Sequence, residues 1–422
     1  MILVEKHDYK RGHRFFDELD DLCFKSKNIY NSTLYHVRQH FFKTHMETGK
    51  GEYLSFNKIN KLAKELMFDD YTALPAKVAQ QTQRNVDQNF RSFFALLHTN
   101  PHMARIPKYL PKDGRFVVTY TKQAVSFKNR NVPEGYVWLS GTNILIKTKV
   151  DDVQSVRVVP KSDCITVEIC YNVTEKEWQG NGRYASIDLG VDNLATIVSN
   201  VFAPILFRGR KLRSINHYYS KKIASLQSRH KRKTHTKRMK SITRKRNNKV
   251  NDFMHKASRM IANHLAENRI CTLIVGYNKG WKQDANMGKV QNQGFEQIPF
   301  LKFVQMLEYK CALLGIKVVR QEESYTSKCS FIDGDYIPTF GIDGDKLCAS
   351  GRRITRGLYR TASGLLIHAD INGAYNIMRK ALSQNAQQDA YLRGYCLQVC
   401  STPSVFTVKH GDIDFYMSHA TI

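Results

Sequence analysis

The sequence lacks long apolar runs, a cysteine pattern and, over one long stretch, any acidic residue. No apolar run approaches the roughly 18 residues of a membrane-spanning helix, and charge appears within the first five positions, so we expect neither a membrane protein nor a secretory signal. Nine cysteines, an odd number without regular spacing, do not form a disulfide framework. These absences favour a protein of a reducing, intracellular compartment.

What the sequence has in excess is positive charge. Its 422 residues include 65 Lys and Arg against 37 Asp and Glu, a formal charge of +28. Such an excess repels itself unless a polyanion neutralises it, which indicates a nucleic-acid partner. Apolar residues make up 42% of the chain, enough for packed cores, and this content excludes a wholly disordered protein. The length predicts two or three domains.

The charge is concentrated in a segment without acids. No Asp or Glu occurs from 193 to 251, and 17 Lys and Arg residues lie between Arg208 and Lys249. A solvated surface helix usually mixes both signs, so this segment is predicted to contact nucleic acid. The candidate contacts are Arg210, Lys211, Lys221, Lys222, Arg232 and Lys233.

The spacing of apolar residues divides the chain into helical, strand-rich and mixed parts. Helical spacing dominates the first hundred residues, and from 115 to 173 a period of two predicts about six strands of an antiparallel sheet or barrel. After residue 184 the pattern predicts a three-stranded meander, a long helical segment and a strand–helix–strand unit. This order is that of RNase H-like folds. We therefore expect a multidomain α+β protein.

Two Asp residues stand where an RNase H-like nuclease needs metal ligands. Such enzymes hold two divalent ions about 4 Å apart with three or four carboxylates, and Mg²⁺ prefers hard oxygen ligands. Asp188 interrupts the apolar strand SIDLG, and Asp370 begins the helix of HADINGAYNI. The alternatives are a strand-end turn residue for Asp188 and a plain N-cap for Asp370. In this order, and in so basic a chain, the pair favours catalysis.

Five stretches of the sequence resemble the TnpB family. TnpB proteins are transposon-encoded RNA-guided nucleases, related to Fanzor proteins and type V CRISPR effectors. The matches span nearly the whole chain in the family's order. They are LPAKVAQQT (74–82), SIDLGVDNLATI (186–197), LIVGYNKGWKQ (273–283), ESYTSKCS (323–330) and SGRRITRGLYR with GLLIHADINGAYNI (350–377).

The resemblance implies a helical recognition lobe inserted in a wedge-like β-barrel, followed by a RuvC-type nuclease domain with a small insert. The expected boundaries are 1–10 and 101–178 for the wedge, 11–100 for the recognition lobe, 183–324 and 367–385 for the nuclease, 325–366 for the target-nucleic-acid-binding insert and 386–422 for a C-terminal tail.

The resemblance also implies the activity. A guide RNA transcribed near the protein's own gene would direct cleavage of double-stranded DNA next to a short flanking motif, with two Mg²⁺ ions, or Mn²⁺ in their place. The alternative is a nuclease-inactive RNA-guided DNA-binding repressor. The expected location is the cytoplasm, in association with the nucleoid, or the nucleus if the host is eukaryotic.

The family's usual third carboxylate is missing. Its Glu follows a central strand, where this sequence has Gly276. Some branches resemble this chain in carrying a Glu just before the YTS motif, here Glu323. Parallel strands lie about 4.8 Å apart, so a Glu two strands from Asp188 can reach it. Glu322 faces the opposite side of the strand, and Glu296, in the loop after the central strand, stays an alternative.

The insert departs from the family in its cysteines. Most relatives hold this region with two CxxC pairs, a tetrahedral zinc site. Here Cys329 and Cys348 have no partner at that spacing, so we predict no structural zinc. The insert also carries clustered arginines, expected to contact the target strand or the guide RNA, with ion pairing to the acids of 333–345 as the alternative. They are Arg352, Arg353 and Arg356.

The recognition helix carries the last predicted contacts. Lys77, Gln80 and Gln81 match a motif that resembles the family's contacts to the flanking DNA motif. Gln is suited to bidentate hydrogen bonding with adenine. Tyr53 is included with them. The alternative is an ordinary polar helix face.

Overall fold

The computed structural model describes residues 1–66, 68–127, 130–229, 236–278, 295–342, 348–382, 386–400, 403–408 and 415–419. The chain divides into two compact units, Met1–Val173 and Thr174–Ile422. Both mix helices with sheets, so the predicted α+β class is confirmed. The finer domain boundaries stay a prediction.

The first unit contains four helices in its helical part. They are α1 (Phe16–Thr48), α2 (Phe56–Leu66), α3 (Phe68–Thr72) and α4 (Ala76–Thr99). Asp17 and Glu18 in the first turn of α1 complement the helix dipole, and Gly49 ends it with a φ of 74°, which favours glycine. Helix α1 packs beside α4, where Ser26 Oγ and Thr82 Oγ1 are 2.9 Å apart.

The strands of the first unit form two sheets. They are β1 (Ile2–Lys10), β2 (Val118–Thr121), β3 (Val125–Ser126), β4 (Tyr136–Leu139), β5 (Leu145–Lys147), β6 (Val153–Pro160) and β7 (Cys164–Asn172). The larger antiparallel sheet has the order β1-β7-β6-β2, and the smaller has the order β3-β4-β5. The six strands expected after residue 115 are present. The N-terminal β1 completes the larger sheet by pairing along its whole length with β7, from Ile2↔Asn172 to Lys10↔Cys164.

The second unit is built on one mixed sheet. Its first elements are β8 (Tyr184–Leu189), β9 (Asn193–Ser199), β10 (Ile205–Arg208), α5 (Arg210–Ser228), α6 (Lys237–Glu267), β11 (Thr272–Gly276), α7 (Phe300–Ala312) and β12 (Lys317–Gln321). Strands β8, β9 and β10 form the expected antiparallel meander. Strand β11 lies parallel to β8, and β12 lies parallel to β11. The strand–helix–strand unit expected from the sequence is therefore present.

The rest of the chain adds a small sheet, two helices and two further strands. These are β13 (Arg352–Thr355), β14 (Leu358–Arg360), β15 (Leu366–His368), α8 (Ala369–Ala381), α9 (Ala386–Val399), β16 (Ser404–Val408) and β17 (Phe415–His419). Strand β16 pairs in parallel with β10, where Phe406 stacks on Phe207 with ring centroids 4.7 Å apart. The main sheet has the order β12-β11-β8-β9-β10-β16-β17. The sequence pattern assigned no role to this last segment.

The alternation of β8 separates its two faces. Ala185, Ile187 and Leu189 point into a core shared with α6 and α7. The residues between them face α8: Ser186 Oγ donates to the carbonyl of Ala374 at 2.6 Å, and Asp188 lies against the same helix. A period of two thus puts the acid of SIDLG on the face that receives α8.

A buried lysine in the α6–α7 interface makes stability depend on pH. Lys310 is 3% exposed, and its Nζ donates to His255 O at 2.6 Å and Ser258 Oγ at 2.7 Å. Burial, with the nearby charge of Arg259, lowers the pKa of Lys310 to about 8. Between that value and about 10.5, the unfolded chain binds a proton that the folded chain does not. Stability from this site therefore rises with pH through that window.

Lys310→Met is expected to remove this dependence. The free energy of unfolding of the variant relative to wild type should fall by up to about 3 kcal/mol between pH 7.5 and 10.5, as the wild-type penalty disappears. Urea unfolding followed by circular dichroism at several pH values measures it. Lys256→Met, on the exposed side of α6, is the control. A difference that stays constant with pH would contradict the assignment.

Candidate active site

The carboxyl ends of three parallel strands and the N-terminus of α8 meet around one cavity. Strands β8, β11 and β12 run in the same direction, so their last residues share one edge of the sheet. The cavity has a volume of about 360 Å³. Asp188, Glu323 and Asp370 all line it, together with Asn193 and Arg353. Three acids drawn from distant segments therefore share one site.

Asp188 lies within β8, opposite Thr196 of β9, so it is not a strand-end turn residue. Its carboxylate is close to α8: a Cβ placed on Gly373 would lie 3.0 Å from Asp188 Oδ2. Only glycine lets the helix approach so closely. Withdrawal from solvent, then the charges of Glu323 and Asp370, raise the pKa of Asp188 well above its ordinary value.

Asp370 is the second residue of α8, and the plain N-cap alternative is wrong. The N-cap is His368, whose Nδ1 accepts a hydrogen bond from the backbone N–H of Asp370 at 3.2 Å. The carboxylate of Asp370 therefore does not cap the helix, and it has two other partners. Its Oδ2 accepts from Asn193 Nδ2 at 2.8 Å, and its Oδ1 lies 3.2 Å from Arg353 Nη2.

Glu323 fills the space above a glycine. Strand β12 ends at Gln321, and Glu323 follows two residues later, with its backbone N–H donating to Asn278 Oδ1 at 3.2 Å. A Cβ built on Gly276 would overlap Glu323 Oε2 and lie 2.6 Å from Ile377 Cδ1. The carboxylate of Glu323 thus occupies the space beside β11 that a side chain at position 276 would take.

The two other candidate acids point elsewhere. Glu322 pairs with Lys380 of α8 and accepts a hydrogen bond from the N–H of Ser324. Burial acts to raise the pKa of Glu322, but the hydrogen bonds from Lys380 and Ser324 together outweigh it, so the pKa is lowered. Glu296 lines a separate cavity of about 500 Å³ with Arg246. Neither acid lines the cavity of Asp188.

Two buried asparagines of α8 hold the segment that follows Glu323. Asn372 Nδ2 donates to Cys329 O and its Oδ1 accepts from the N–H of Phe331, at 2.8 and 2.9 Å. Asn376 Nδ2 donates to the carbonyls of Thr326 and Cys329, each at 2.8 Å. Sequence analysis missed this role. The available signal was two residues of poor helix propensity, one turn apart, in an otherwise good helix.

Two arginines of the insert pair with acids outside it. Arg353 pairs with Asp370, and Arg356 Nε lies 3.0 Å from Asp192 Oδ2. Asp343 and Asp345 lie outside the described residues, and ion pairing to the 333–345 stretch stays an alternative. Arg352 is exposed. Asp192 also pairs with Arg213 of α5, which ties the basic helix to the loop beside the cavity.

The predicted recognition contacts lie on α4 and beside it. Lys77 is exposed, and Gln81 is half-buried. Gln80 Nε2 donates to Tyr71 Oη at 3.3 Å. Tyr53 donates to Asp87 and lies against Phe90, with ring centroids 5.5 Å apart, so its hydroxyl already has a partner within the unit. Burial raises the pKa of Tyr53 far above its ordinary value.

The basic segment forms two helices, α5 and α6. On α5, Arg210, Lys221 and Lys222 are exposed and Lys211 is half-buried. Arg232 and Lys233 lie outside the described residues. The two helices are joined by Arg246 of α6, which donates to Asn216 Oδ1 of α5 at 2.8 Å. Arg246 therefore has a structural role.

The donor set of the cavity suits a hard divalent cation. Within the described ranges, no group of three His, Cys, Asp or Glu side chains is already arranged to hold a metal ion. The three acids are nevertheless oxygen ligands, the kind that Mg²⁺ prefers. Burial, and then the charges of Glu323 and Asp370, raise the pKa of Asp188, and the positive charge of a bound cation would favour its ionised form. At present the guanidinium of Arg353 supplies part of that positive charge.

The cysteines of the insert have separate environments. Cys329 is buried, and its Sγ donates to Tyr336 O at 3.5 Å. Burial raises the pKa of Cys329 to about 11. Cys348 is exposed. The predicted lack of a structural zinc stays a prediction.

Comparison with known families matches two parts of the chain. Residues 168–282 match the family described as a probable transposase, OrfB_IS605. Residues 300–377 match the Cas12f1-like TNB domain. The chain is 26% identical over 213 residues to the TnpB-like protein ORF457 of Acidianus two-tailed virus. The predicted resemblance to the TnpB family is therefore confirmed.

The chain has a further curated relative. It is 28% identical over 224 residues to the CRISPR-associated endodeoxyribonuclease Cas12f2 of Micrarchaeota archaeon (strain CG1_02_47_40). The two matches cover 48% and 50% of this chain but only 43% and 39% of the relatives. The chain therefore aligns with less than half of each relative.

Solved structures are similar to the chain at a lower sequence identity. A Cas12f1–sgRNA–target DNA complex matches with 15% identity and a TM-score of 0.36, covering 89% of this chain and 98% of that one. The mini-RNA-guided endonuclease CRISPR-Cas_phi3 matches with 10% identity and a TM-score of 0.41, covering 90% and 92%. These scores are too low to support an argument. Among the described residues, no helix combines the length and apolarity needed to cross a bilayer.

Proposed function

We propose that this TnpB-family protein is an RNA-guided DNA endonuclease that hydrolyses phosphodiester bonds in a RuvC-type site. The observation that carries the proposal is that Asp188, Glu323 and Asp370 line one cavity at the carboxyl edge of the main sheet. Three acids gathered in a strongly basic protein suit cation-assisted hydrolysis of a polyanion. The order β12-β11-β8-β9-β10 supports an RNase H-like nuclease domain.

In this proposal, Asp188, Glu323 and Asp370 would hold two Mg²⁺ ions. The ions would supply Lewis-acid polarisation of the phosphate and activation of water. Asp188 and Asp370 are fixed by the packing of α8 on β8, and Glu323 by the hydrogen bond from its N–H to Asn278. Arg353, which pairs with Asp370, would face the phosphate backbone entering the cavity.

The nucleic-acid partners are proposed from charge and position. Exposed cations of α5 lie in the unit that contains the cavity, where a guide–target duplex would neutralise them. Arg352, Arg353 and Arg356 on the insert would contact the strand near the cavity. Lys77, Gln80 and Gln81 on α4 would read the flanking motif, with Tyr53 supporting the same helix. Base pairing with the guide would select the target sequence.

Cleavage by the reconstituted protein tests the function. The protein is combined with RNA transcribed from the 3′ region of its own gene and a plasmid library carrying varied flanking motifs, with Mg²⁺. We expect cutting at guide-matched sites next to one motif, and Asp188→Ala should abolish it. Guided binding without any cleavage by the wild type would instead favour a nuclease-inactive repressor. That alternative is suggested by Gly276, which stands where the family usually has a catalytic Glu.

A further inference from the structure

A hydrogen-bonded chain of two residues leads to Asp370 from the sheet. Asn193, the first residue of β9, is 4% exposed, and its Nδ2 donates to Asp370 Oδ2 at 2.8 Å. Arg208, the last residue of β10, donates from Nη1 to Asn193 Oδ1 at 3.2 Å. A register shift between Phe207 and Arg208 places Arg208 directly opposite Asn193. Such irregularities re-aim side chains at strand ends.

Arg208 determines which way the amide of Asn193 points. A guanidinium can only donate, so the oxygen of the amide must face Arg208. The NH₂ group is then left to face Asp370, which as a carboxylate can only accept. Rotating the amide by half a turn would break both hydrogen bonds and place oxygen against oxygen. The orientation of Asn193 is therefore specified by the network.

The two partners of Asp370 differ in what they do to its charge. Arg353 lies on Oδ1 as a cation and competes with any metal ion for that oxygen. Asn193 is neutral and holds Oδ2, so it fixes the carboxylate without cancelling its charge. Outer partners of this kind orient metal ligands in many sites, and their loss weakens metal affinity.

We propose that Asn193 is a positioning residue that orients Asp370 for divalent-cation binding, and that Arg208 sets the orientation of Asn193. The proposal rests on the proposed function, since it assigns the partner of one of the three acids. It concerns the geometry of the ligand before any nucleic acid is bound. Metal binding to the protein alone can therefore test it.

The test is the binding of Mn²⁺ to the full chain in the absence of nucleic acid, measured by electron paramagnetic resonance. Asn193→Leu keeps the branched shape of the side chain but cannot donate, and we expect its Kd for Mn²⁺ to rise by roughly tenfold to a hundredfold. Arg208→Gln should give a smaller rise, because the amide loses its fixed orientation. In cleavage assays, the Mg²⁺ concentration for half-maximal rate should rise by the same factor, with the rate approaching wild type at high Mg²⁺.

Asn200→Ala is the matched control. Asn200 follows the other end of β9, where its side chain donates to Gly182 O and accepts from the N–H of Tyr184. Its loss should lower the melting temperature without changing the Kd for Mn²⁺. An unchanged Kd in Asn193→Leu, with normal wild-type binding, would overturn this inference alone. Failure of the wild type to bind Mn²⁺ would overturn it together with the proposed function.

Discussion

Glu323→Gln is expected to reduce guided DNA cleavage by at least about a thousandfold, equivalent to about 4 kcal/mol of transition-state stabilisation. The substitution keeps the shape of the side chain and removes the negative charge that faces Asp188. Guided DNA binding should be unchanged, because Glu323 lies in the cavity rather than on the basic helices. Cleavage rates at saturating guide and Mg²⁺, with binding measured by gel shift, separate the two effects.

The neighbouring acid provides the control for this prediction. Glu322→Gln removes the same charge one residue earlier, at a side chain that pairs with Lys380 outside the cavity. It should cost a little stability and leave the cleavage rate within about threefold of wild type. Glu296→Gln, in the other cavity, should also leave the cleavage rate nearly unchanged. Loss of cleavage in either of these variants, with activity retained in Glu323→Gln, would reject the assignment of the third acid.

Gly276→Ala is expected to lower the cleavage rate by about a hundredfold, although it adds only one methyl group. The new Cβ would overlap Glu323 Oε2 and lie 2.6 Å from Ile377 Cδ1, so the carboxylate of Glu323 must shift. A displacement of about 1 Å in a catalytic group costs on that order. Single-turnover rates at saturating Mg²⁺ measure the effect.

A second glycine distinguishes displacement from general destabilisation. A Cβ on Gly394, in α9, meets no atom within 4 Å, so Gly394→Ala should leave the rate unchanged. Ile377→Val relieves one of the two clashes of Gly276→Ala and should restore part of its rate. A Gly276→Ala variant with wild-type activity would show that Glu323 does not need the space above residue 276.

Asp188 and Asp370 were predictable because each acid breaks a pattern that the sequence makes visible. Asp188 stands in an apolar strand, and Asp370 stands at the start of a helix whose apolar residues recur with helical spacing. Assigning Glu323 needed the family resemblance. Its relation to Gly276 depends on the pairing of two strands, which no local pattern reveals.

The supporting residues could not be found from the sequence. Asn193 and Asp370 are 177 positions apart, and a polar residue at a strand end is too common to indicate a partner. Arg356 and Asp192 are far apart in the sequence, and Arg353 and Asp370 lie on different elements, so these ion pairs depend on the fold and not on sequence proximity. Strand β16 was missed because a strand of only five residues carries little signal of its own in the sequence.

The junction between the insert and α8 has no linker. Strand β15 ends at His368, and the same residue caps the helix that carries Asp370. Each residue added at this joint would turn the helix by about 100°, because an α-helix has 3.6 residues per turn. Chimeras that exchange the insert must therefore keep the number of residues at this boundary unchanged. At the opposite boundary, in the loop after Glu323, the splice site must lie upstream of Thr326 and Cys329, because their carbonyl groups accept hydrogen bonds from Asn372 and Asn376.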